Sequence, residues 1–223
     1  MSSEQMARRY ELLVFDWDGT LMDSAPAIAA CIQASCRDLG LPVPDQRTAS
    51  HVIGLGLRDA LTYAVPDLAV ADYGRMVERY RHHFLARDAQ LQLFAGAEPM
   101  LRELADAGHM LAIATGKSRA GLDRALAATG FGSLFHGSRC ADECFSKPHP
   151  AMLHELMAEL GGTPAGTLMI GDTTHDLQMA LNAGVGALGV SYGAHPKPQL
   201  AALSPLACVD SIEELAGWLR ANA

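Results

Sequence analysis

Two short acidic motifs hold the side chains of this sequence that are best suited to chemistry. The first, Asp16-Trp17-Asp18-Gly19-Thr20, places two carboxylates two residues apart directly after an apolar run. One carboxylate of such a pair can attack an electrophile while the other exchanges a proton with the leaving group. The same residues could also form an ordinary turn rich in Asp, so the motif needs support from elsewhere in the chain.

The second motif, Gly171-Asp172-Thr173-Thr174-His175-Asp176, also follows an apolar run and leads into a predicted helix. Because the carboxyl ends of parallel strands meet at one edge of a sheet, the two motifs can come together there. Three or four carboxylates within ~4 Å would repel one another by ~4 kcal/mol per pair at an effective dielectric of ~20, so a cation is expected. The nearby candidate ligands are hard oxygens without a cysteine cluster, which favours magnesium over zinc.

Two further segments offer groups that suit a phosphoryl oxygen. Thr115-Gly116-Lys117-Ser118 follows another apolar run and supplies a hydroxyl and backbone N–H groups at a helix start. Ser146-Lys147-Pro148 supplies an ammonium just before a helix expected to begin near Pro150. Taken singly, Thr115 is more often a helix cap and Lys147 a solvated lysine. Together with the acidic motifs they complete a set of groups for binding a phosphoryl group.

A parallel sheet is expected to position these residues. Buried strands are predicted at 12–15, 110–114, 167–170 and 185–190, with a weaker candidate at 206–209. Helices are predicted between or after them at 98–107, 119–129, 150–160, 176–183 and 212–219. This alternation implies a parallel sheet covered on both faces. The predicted fold class is therefore α/β, with a three-layer Rossmann-like parallel sheet core.

Several helix boundaries carry the expected signals. Glycines lie just past predicted helix ends at Gly108, Gly130, Gly161 and Gly184. Ser211, with Glu214 three residues later, predicts a capping box at the start of the last helix.

Residues 24 to about 90 break the alternation. Segments 25–40 and 67–87 have helical spacing, and no convincing strand lies between them. The stretch follows the first strand directly, so it is predicted to be an insertion. The predicted domains are an α/β catalytic core at 1–22 and 91–223 and an α-helical cap domain at 23–90.

Composition limits the partners of the chain. Of its 223 residues 49% are apolar and 19% are charged, which is typical of a soluble globular protein. The formal net charge of −8 argues against a broad nucleic-acid surface. No apolar run approaches the ~20 residues of a membrane span, and Asp16 and Asp18 interrupt the apolar stretch near the N-terminus, so no membrane partner and no signal peptide are predicted. The five dispersed cysteines fit reduced thiols in a cytoplasmic protein.

The motifs together resemble those of the haloacid dehalogenase superfamily, in its phosphoglycolate-phosphatase-like branch with a helical cap after the first strand. Four motifs match in order over nearly the whole chain: Asp16-Trp17-Asp18-Gly19-Thr20-Leu21, Thr115-Gly116, Lys147-Pro148, and Gly171-Asp172-Thr173 with Asp176. Trp17 stands where Phe is common, a change that should not touch the chemistry.

The resemblance implies roles for the acidic residues. Asp16 would be the nucleophile and a magnesium ligand. Asp18 would protonate the leaving oxygen, then activate water against the phosphoaspartate, while its backbone carbonyl helps to bind the metal. Asp172 would bind magnesium directly, and Asp176 would support the metal site or pair with Lys147.

The resemblance also implies residues that bind the substrate. Thr115 and Lys147 would hold the transferring phosphoryl group, and Gly116 would allow close approach of the backbone. The segment Ile53-Gly54-Leu55-Gly56-Leu57-Arg58 is similar to a cap loop that reaches over the active site in related proteins. Arg58 could then meet a substrate carboxylate or second phosphate, or it could be a helix-start arginine in solvent.

The expected function is magnesium-dependent hydrolysis of a small-molecule phosphomonoester, with 2-phosphoglycolate favoured by the resemblance alone. A sugar phosphomutase of the beta-phosphoglucomutase type is the alternative on the same architecture. Carbon–halogen hydrolysis is disfavoured because Asp18 supplies an acid that dehalogenases of this superfamily lack. A phosphoaspartate signalling module would share the acidic strand ends but lack the helical insertion. The expected partner is a small phosphorylated metabolite, and the protein is expected to be a monomer or homodimer.

Most histidines are interpreted as surface or satisfied core residues, because none is paired at the spacing of metal ligands. This interpretation covers His82, His83, His109, His136, His149, His154 and His195. His175 differs only in its place inside the second acidic motif.

Overall fold

The computed structural model describes residues 9–223 of the chain. The first eight residues, which we assigned to the core domain and in which we identified no signal peptide, lie outside the described residues. The described chain forms six strands: β1 (Leu12–Phe15), β2 (Met110–Thr115), β3 (Gly137–Cys140), β4 (Thr167–Gly171), β5 (Gly186–Val190) and β6 (Ala207–Val209). It forms ten α-helices: α1 (Ala25–Asp38), α2 (Gln46–His51), α3 (Leu57–Ala64), α4 (Tyr73–Asp88), α5 (Ala97–Asp106), α6 (Arg119–Thr129), α7 (Ala151–Leu160), α8 (Thr174–Ala183), α9 (Lys197–Ala201) and α10 (Ile212–Asn222).

The six strands form one parallel sheet in the order β3-β2-β1-β4-β5-β6. The central strand β1 pairs with β2 on one side and with β4 on the other, and Phe15 lies beside Ile113 and Ile170. The residues that follow these three strands therefore leave the sheet at the same edge. The predicted α/β class with a parallel sheet is confirmed.

Helices cover both faces of the sheet, which explains why β1 is apolar at every position. Leu13 and Phe15 lie in a buried cluster with residues of α5, α6 and α10. Leu12 and Val14 point to the other face and lie in a buried cluster with residues of α7 and α8. These two clusters fill the space between the sheet and the helices on each of its faces. The core therefore has three layers, as predicted.

The chain between β1 and β2 is helical. Its helices α1, α3 and α4 share a third buried cluster that includes Ile32, Leu61, Met76 and Phe84. The segments predicted at 25–40 and 67–87 correspond to α1 and to α4 with the short 3-10 turn Val70–Asp72 before it. We call α1 to α4 with their connecting loops the cap; the division of the chain at 23 and 90 stays a prediction.

The elements that the sequence did not predict are short or polar. Helices α2, α3 and α9 span 6, 8 and 5 residues, too few for a clear period. Strand β3 reads Gly-Ser-Arg-Cys, and it is only partly buried because it pairs with β2 alone at the edge of the sheet.

The predicted capping box at the last helix is only half formed. Ser211 Oγ accepts a hydrogen bond from the Glu214 N–H at 3.1 Å, as expected. The Glu214 carboxylate instead accepts from the N–H of Asp210 at 2.8 Å, so the reciprocal bond is missing. Within residues 9–223, no helix is both long enough and apolar enough to cross a bilayer.

Candidate active site

The sheet brings the predicted acidic residues together. Asp16 follows β1 and Asp172 follows β4, while Asp176 lies in the first turn of α8. One carboxylate oxygen from each lies within 4.8 Å of the other two, and all three residues are buried. We call these three residues the acidic cluster. Thr115, the last residue of β2, is buried at the same edge of the sheet.

Asp16 has one oxygen that is held and one that is not. Its Oδ1 accepts a hydrogen bond from the Trp17 N–H at 2.7 Å and lies 2.9 Å from Lys147 Nζ. No described residue donates a hydrogen bond to its buried Oδ2. Burial raises the pKa of Asp16 well above its ordinary value, and the neighbouring Asp176 and Asp172 add to the rise while Lys147 opposes it.

Lys147 is a buried cation between two carboxylates. Its Nζ lies 2.9 Å from Asp16 Oδ1 and 2.6 Å from Asp176 Oδ1. Burial alone would lower the pKa of Lys147, but the two carboxylates outweigh it and raise the pKa above its ordinary value. The ammonium therefore stays charged beside Asp16.

A capping box fixes Asp176. Its Oδ2 accepts hydrogen bonds from the Thr173 N–H at 3.0 Å and from the Thr173 hydroxyl at 2.6 Å. The Thr173 oxygen in turn caps the Asp176 N–H at 3.3 Å. Oδ1 of Asp176 contacts Lys147 Nζ. Both oxygens of Asp176 therefore have partners, and one of the partners is this lysine.

Asp172 is held by two donors. The Thr20 hydroxyl donates to its Oδ1 at 2.8 Å, and the Ala194 N–H donates to its Oδ2 at 2.7 Å. Burial, with Asp176 nearby, raises the pKa of Asp172 to about 7 despite these hydrogen bonds. Ala194 lies in the loop after β5, and the sequence did not predict this contact because a backbone N–H makes it.

The acidic cluster fits a magnesium ion. Three buried carboxylates face a single ammonium, and Asp16 Oδ2 lacks a donor among residues 9–223. A divalent cation would relieve the repulsion that raises the pKa values of Asp16 and Asp172. The donors are hard carboxylate oxygens, which suit magnesium.

Asp18 stands apart from the acidic cluster and is held by two other side chains. The Ser24 hydroxyl donates to its Oδ1 at 2.6 Å. Lys117 Nζ lies 2.8 Å from Oδ1 and 2.9 Å from Oδ2. Lys117 was not predicted as a site residue, although its position directly after Thr115-Gly116 was a signal.

The cap lies directly on Gly116. A methyl group at this position would lie 2.5 Å from the carbonyl oxygen of Leu55 and 2.6 Å from that of Gly54, so a larger residue would push the cap away. The Gly56 N–H donates to the Ser146 hydroxyl at 2.8 Å, beside Lys147. The glycine-containing loop of the cap therefore lies against the core next to the site. The group that approaches Gly116 closely is the backbone of this loop.

Arg58 does not join the site in this structure. It is exposed, and its guanidinium carbon lies 5.7 Å from the ring centroid of Tyr73 in the same cap. This position matches the alternative of a helix-start arginine in solvent.

Three histidines that the sequence did not connect form a second cluster where the cap meets the core. The histidine cluster consists of His51 at the end of α2, His175 in α8 and His195 after β5. Nε2 of His175 and of His195 donate to the carbonyl oxygen of His51 at 2.8 and 3.0 Å. His195 Nδ1 accepts from the Thr174 N–H at 3.0 Å, and burial followed by the nearby His175 lowers the pKa of His195 to about 4. His195 is thus a satisfied core residue, as interpreted from the sequence, and the ring of His51 that stacks on it is a contact that the sequence did not predict.

The comparisons with known proteins agree with this geometry. A family model described as haloacid dehalogenase-like hydrolase matches residues 13–190. The chain is 37% identical to a probable phosphatase, IndB, of Dickeya dadantii, over 92% of each chain. It is 32% identical to a phosphoglycolate phosphatase of Colwellia psychrerythraea, over 92% of this chain and 95% of the relative.

The fold has close structural neighbours. A hydrolase from Pseudomonas syringae superposes with a TM-score of 0.87 at 20% identity, covering 95% of this chain and 98% of that one. At this identity the likeness shows the fold alone, whereas the family model and the curated relatives show the family. The chain therefore belongs to the haloacid dehalogenase-like hydrolases, in the branch that contains these phosphatases.

Proposed function

We propose that this phosphatase hydrolyses a small phosphomonoester in two steps, through a phosphoaspartate on Asp16 and with magnesium. One observation carries the proposal: Asp16 is buried with one oxygen held and the other without a donor, in contact with Lys147. A residue that is fixed in place and yet has a free oxygen is suited to attack.

In the first step, an Asp16 oxygen forms a bond to phosphorus as the bond from phosphorus to the ester oxygen breaks. Asp18 gives its proton to that oxygen, and the alcohol leaves. Lys147 and the Thr115 hydroxyl bind the equatorial oxygens of the phosphoryl group, where negative charge accumulates.

In the second step, water attacks the phosphorus of the phosphoaspartate. Asp18, now ionised, takes a proton from this water. The bond between phosphorus and Asp16 breaks, so inorganic phosphate leaves and the Asp16 carboxylate is restored.

Magnesium would be held by Asp16, Asp172 and the backbone carbonyl of Asp18. When bound, it neutralises charge on the phosphoryl oxygens. Asp176 acts through Lys147, because both of its oxygens are engaged by that lysine and by Thr173.

The cap favours the reaction by excluding bulk water. Its loop at Gly54 and Leu55 lies on Gly116, next to Thr115. In a water-poor site, charge interactions with the transferring group are stronger than in water. We propose that substrates enter when the cap lifts from this position.

The proposed substrate is a small phosphorylated metabolite. Relatives named phosphoglycolate phosphatase make 2-phosphoglycolate the first compound to test. The expectations of a cytoplasmic monomer or homodimer are carried forward with this proposal.

The test is release of inorganic phosphate from a panel of phosphomonoesters with magnesium. Asp16→Asn should lower kcat by about 10⁶-fold, as loss of a nucleophile does. Asp123→Asn, at a side chain that is 59% exposed, is the matched control and should keep wild-type activity. In Asp18→Asn, mass spectrometry should detect a phosphoryl group on the peptide that contains Asp16.

Two results would contradict the proposal. One is no turnover of any ester by the wild type, and the other is full turnover by Asp16→Asn. A phosphomutase would instead transfer the phosphoryl group between sugar hydroxyls and release little phosphate, which product analysis separates.

A further inference from the structure

A cleft of about 830 Å³ lies between the cap and the core, beside Lys147. Its cap wall includes Asp59 and Tyr63 of α3, and its core wall is formed mainly by residues 146–150 with His175 of α8. The volume is within the roughly 300–1,000 Å³ of small-molecule sites in proteins. The two proposed steps use only Lys147 from this lining, so the rest of the cleft has no assigned task.

Exposed apolar side chains gather around the cleft. Tyr63 lines it and is 57% exposed, while Phe145 is 69% exposed and its ring centroid lies 4.5 Å from that of the lining residue His149. Leu181, also exposed, is next to the lining residue Asn182. Three of the seven large exposed apolar side chains of residues 9–223 are thus in this one place. Such a patch marks an interaction site, and aromatic rings on both walls suit a flat ring.

Several polar side chains of the cleft already have hydrogen-bond partners. The Thr62 hydroxyl donates to the carbonyl of Arg58 at 2.9 Å. Asn182 Nδ2 donates to the carbonyl of Pro148 at 2.9 Å, and Asn182 Oδ1 accepts from Gln178 Nε2 at 2.9 Å. These groups are therefore committed to the protein.

Three other groups of the lining remain available to a ligand. No residue among 9–223 donates a hydrogen bond to the exposed Asp59 carboxylate, and none bonds to the Tyr63 hydroxyl. His149 Nδ1 accepts from the Ala151 N–H at 3.2 Å, so its Nε2 carries the proton and can donate. The cleft thus offers a carboxylate that can accept two parallel hydrogen bonds, one ring donor and a phenol.

The charges of the lining disfavour an anionic ligand. The side chain of Arg58, next to Asp59, is turned onto the ring of Tyr73, with 5.7 Å between its guanidinium carbon and the ring centroid. Lys147 is engaged by two carboxylates of the acidic cluster. The Asp59 carboxylate therefore has no cation beside it within the described chain, and a neutral ligand fits better than a phosphorylated one.

We propose that the cleft binds a purine nucleoside that carries an amino group on its ring. The base lies between Tyr63 and His149, and two neighbouring N–H groups on one edge donate to Asp59. Because one wall belongs to the cap and the other to the core, this ligand favours the cap in its present position. Resting on the proposed function, in which the substrate enters when the cap lifts, an occupied cleft slows turnover.

The experiment begins with calorimetric binding of guanosine and inosine, which differ only in the 2-amino group. Guanosine should bind about 10-fold more tightly, as one charge-assisted hydrogen bond contributes. Asp59→Asn should reduce this difference to less than about 3-fold, because the amide cannot accept two parallel bonds. Tyr63→Ala should weaken both nucleosides by about 10-fold through loss of stacking. Asp67→Asn changes an exposed aspartate of the cap outside the cleft and should keep both affinities.

The second measurement is turnover of a phosphomonoester in the presence of guanosine. At a guanosine concentration equal to its Kd, kcat should fall by about half, because the product also leaves when the cap lifts. Excess substrate should not restore the rate. Asp59→Asn and Tyr63→Ala should keep the phosphatase activity and lose most of the inhibition.

Three results would overturn the inference. They are no binding of either nucleoside at up to about 1 mM, an unchanged difference between the two in Asp59→Asn, and inhibition that excess substrate removes completely. The last would mean that guanosine occupies the substrate's own site. If the wild type hydrolysed no ester, the proposed function would fail, while calorimetry would still decide whether the cleft binds the nucleoside.

Discussion

The acidic cluster and the histidine cluster are both groups of three side chains whose atoms could hold a metal ion. They differ in whether the protein supplies partners that balance their charge and satisfy their hydrogen bonds. In the acidic cluster, like charges lie close together and Asp16 Oδ2 has no donor among the described residues. In the histidine cluster, the Nε2 atoms of His175 and His195 already donate to the carbonyl of His51. The acidic cluster needs a cation for balance, whereas the two core histidines of the histidine cluster already have hydrogen-bond partners in the protein.

The difference teaches that proximity of ligand atoms does not make a metal site. An isolated buried charge is strongly unfavourable, while a neutral imidazole with a hydrogen-bond partner is not. The acidic cluster lies wholly in the core, at the ends of β1 and β4 and in the first turn of α8. The histidine cluster joins the cap to the core through hydrogen bonds to the carbonyl of His51.

The largest effect should come from removing Lys147, the ammonium that contacts the acidic cluster. Lys147→Met leaves Asp16 and Asp176 buried without their shared partner. Breaking a buried pair on one side typically lowers the free energy of unfolding by about 3–5 kcal/mol. Urea unfolding in the absence of divalent metal measures this loss.

The control for that prediction is Lys197→Met. Lys197 pairs with Asp210 at 2.6 Å, but both side chains are about half exposed. Water and salt screen such a pair, so its removal should leave the free energy of unfolding nearly unchanged. Equal losses in the two variants would mean that the buried ion pair contributes no more to the free energy of unfolding than the exposed one.

The sequence predicted the acidic cluster because its residues stand at the ends of strands. An apolar run such as Leu12–Phe15 identifies a buried parallel strand, and parallel strands present their carboxyl ends at one edge. The place of Asp16 beside Asp172 then followed from the topology alone. The polar edge strand β3 escaped prediction because its pattern is not that of a buried strand.

What the sequence could not predict depends on how side chains far apart in the chain meet, most of all where the cap docks. His51 and His195 are 144 residues apart, and no spacing rule connects them. The contact of Lys117 with Asp18 depends on side-chain directions over a separation of 99 residues. Arg58 was predicted from its place in the cap loop, but the side chain of an exposed arginine is free to turn outwards. Backbone topology is thus encoded more plainly than contacts between the cap and the core.

The second effect should be stabilisation by magnesium through the acidic cluster. A ligand at 100 times its Kd that binds only the folded state raises the free energy of unfolding by about 2.7 kcal/mol, and for a chain of this length Tm should rise by about 5–10 °C. Asp172→Asn should remove most of this shift, while Asp123→Asn should keep it. A full shift in Asp172→Asn would place the magnesium elsewhere.

The magnesium effect should also depend on pH. Burial, with Asp176 nearby, raises the pKa of Asp172 to about 7, so below that pH the folded state binds more protons than the unfolded state does. Without metal, the free energy of unfolding should therefore rise as the pH falls from about 8 to about 6. Magnesium must displace the proton, so its shift in Tm should be larger at about pH 8 than at about pH 6. The opposite order would show that Asp172 is not a ligand.

The smallest effect should come from the histidine cluster. His195→Phe keeps the ring but removes the acceptor of the Thr174 N–H and one donor to the carbonyl of His51. The Thr174 N–H then has no acceptor, while the carbonyl of His51 keeps its bond from His175, so the free energy of unfolding should fall by about 1–3 kcal/mol. The rise in Tm with magnesium should persist, because the imidazole is not needed by the acidic cluster. His154→Phe, at an exposed position of α7, controls for the added ring; if His195→Phe abolished the magnesium shift, the two clusters would form a single metal centre and the contrast between them would fail.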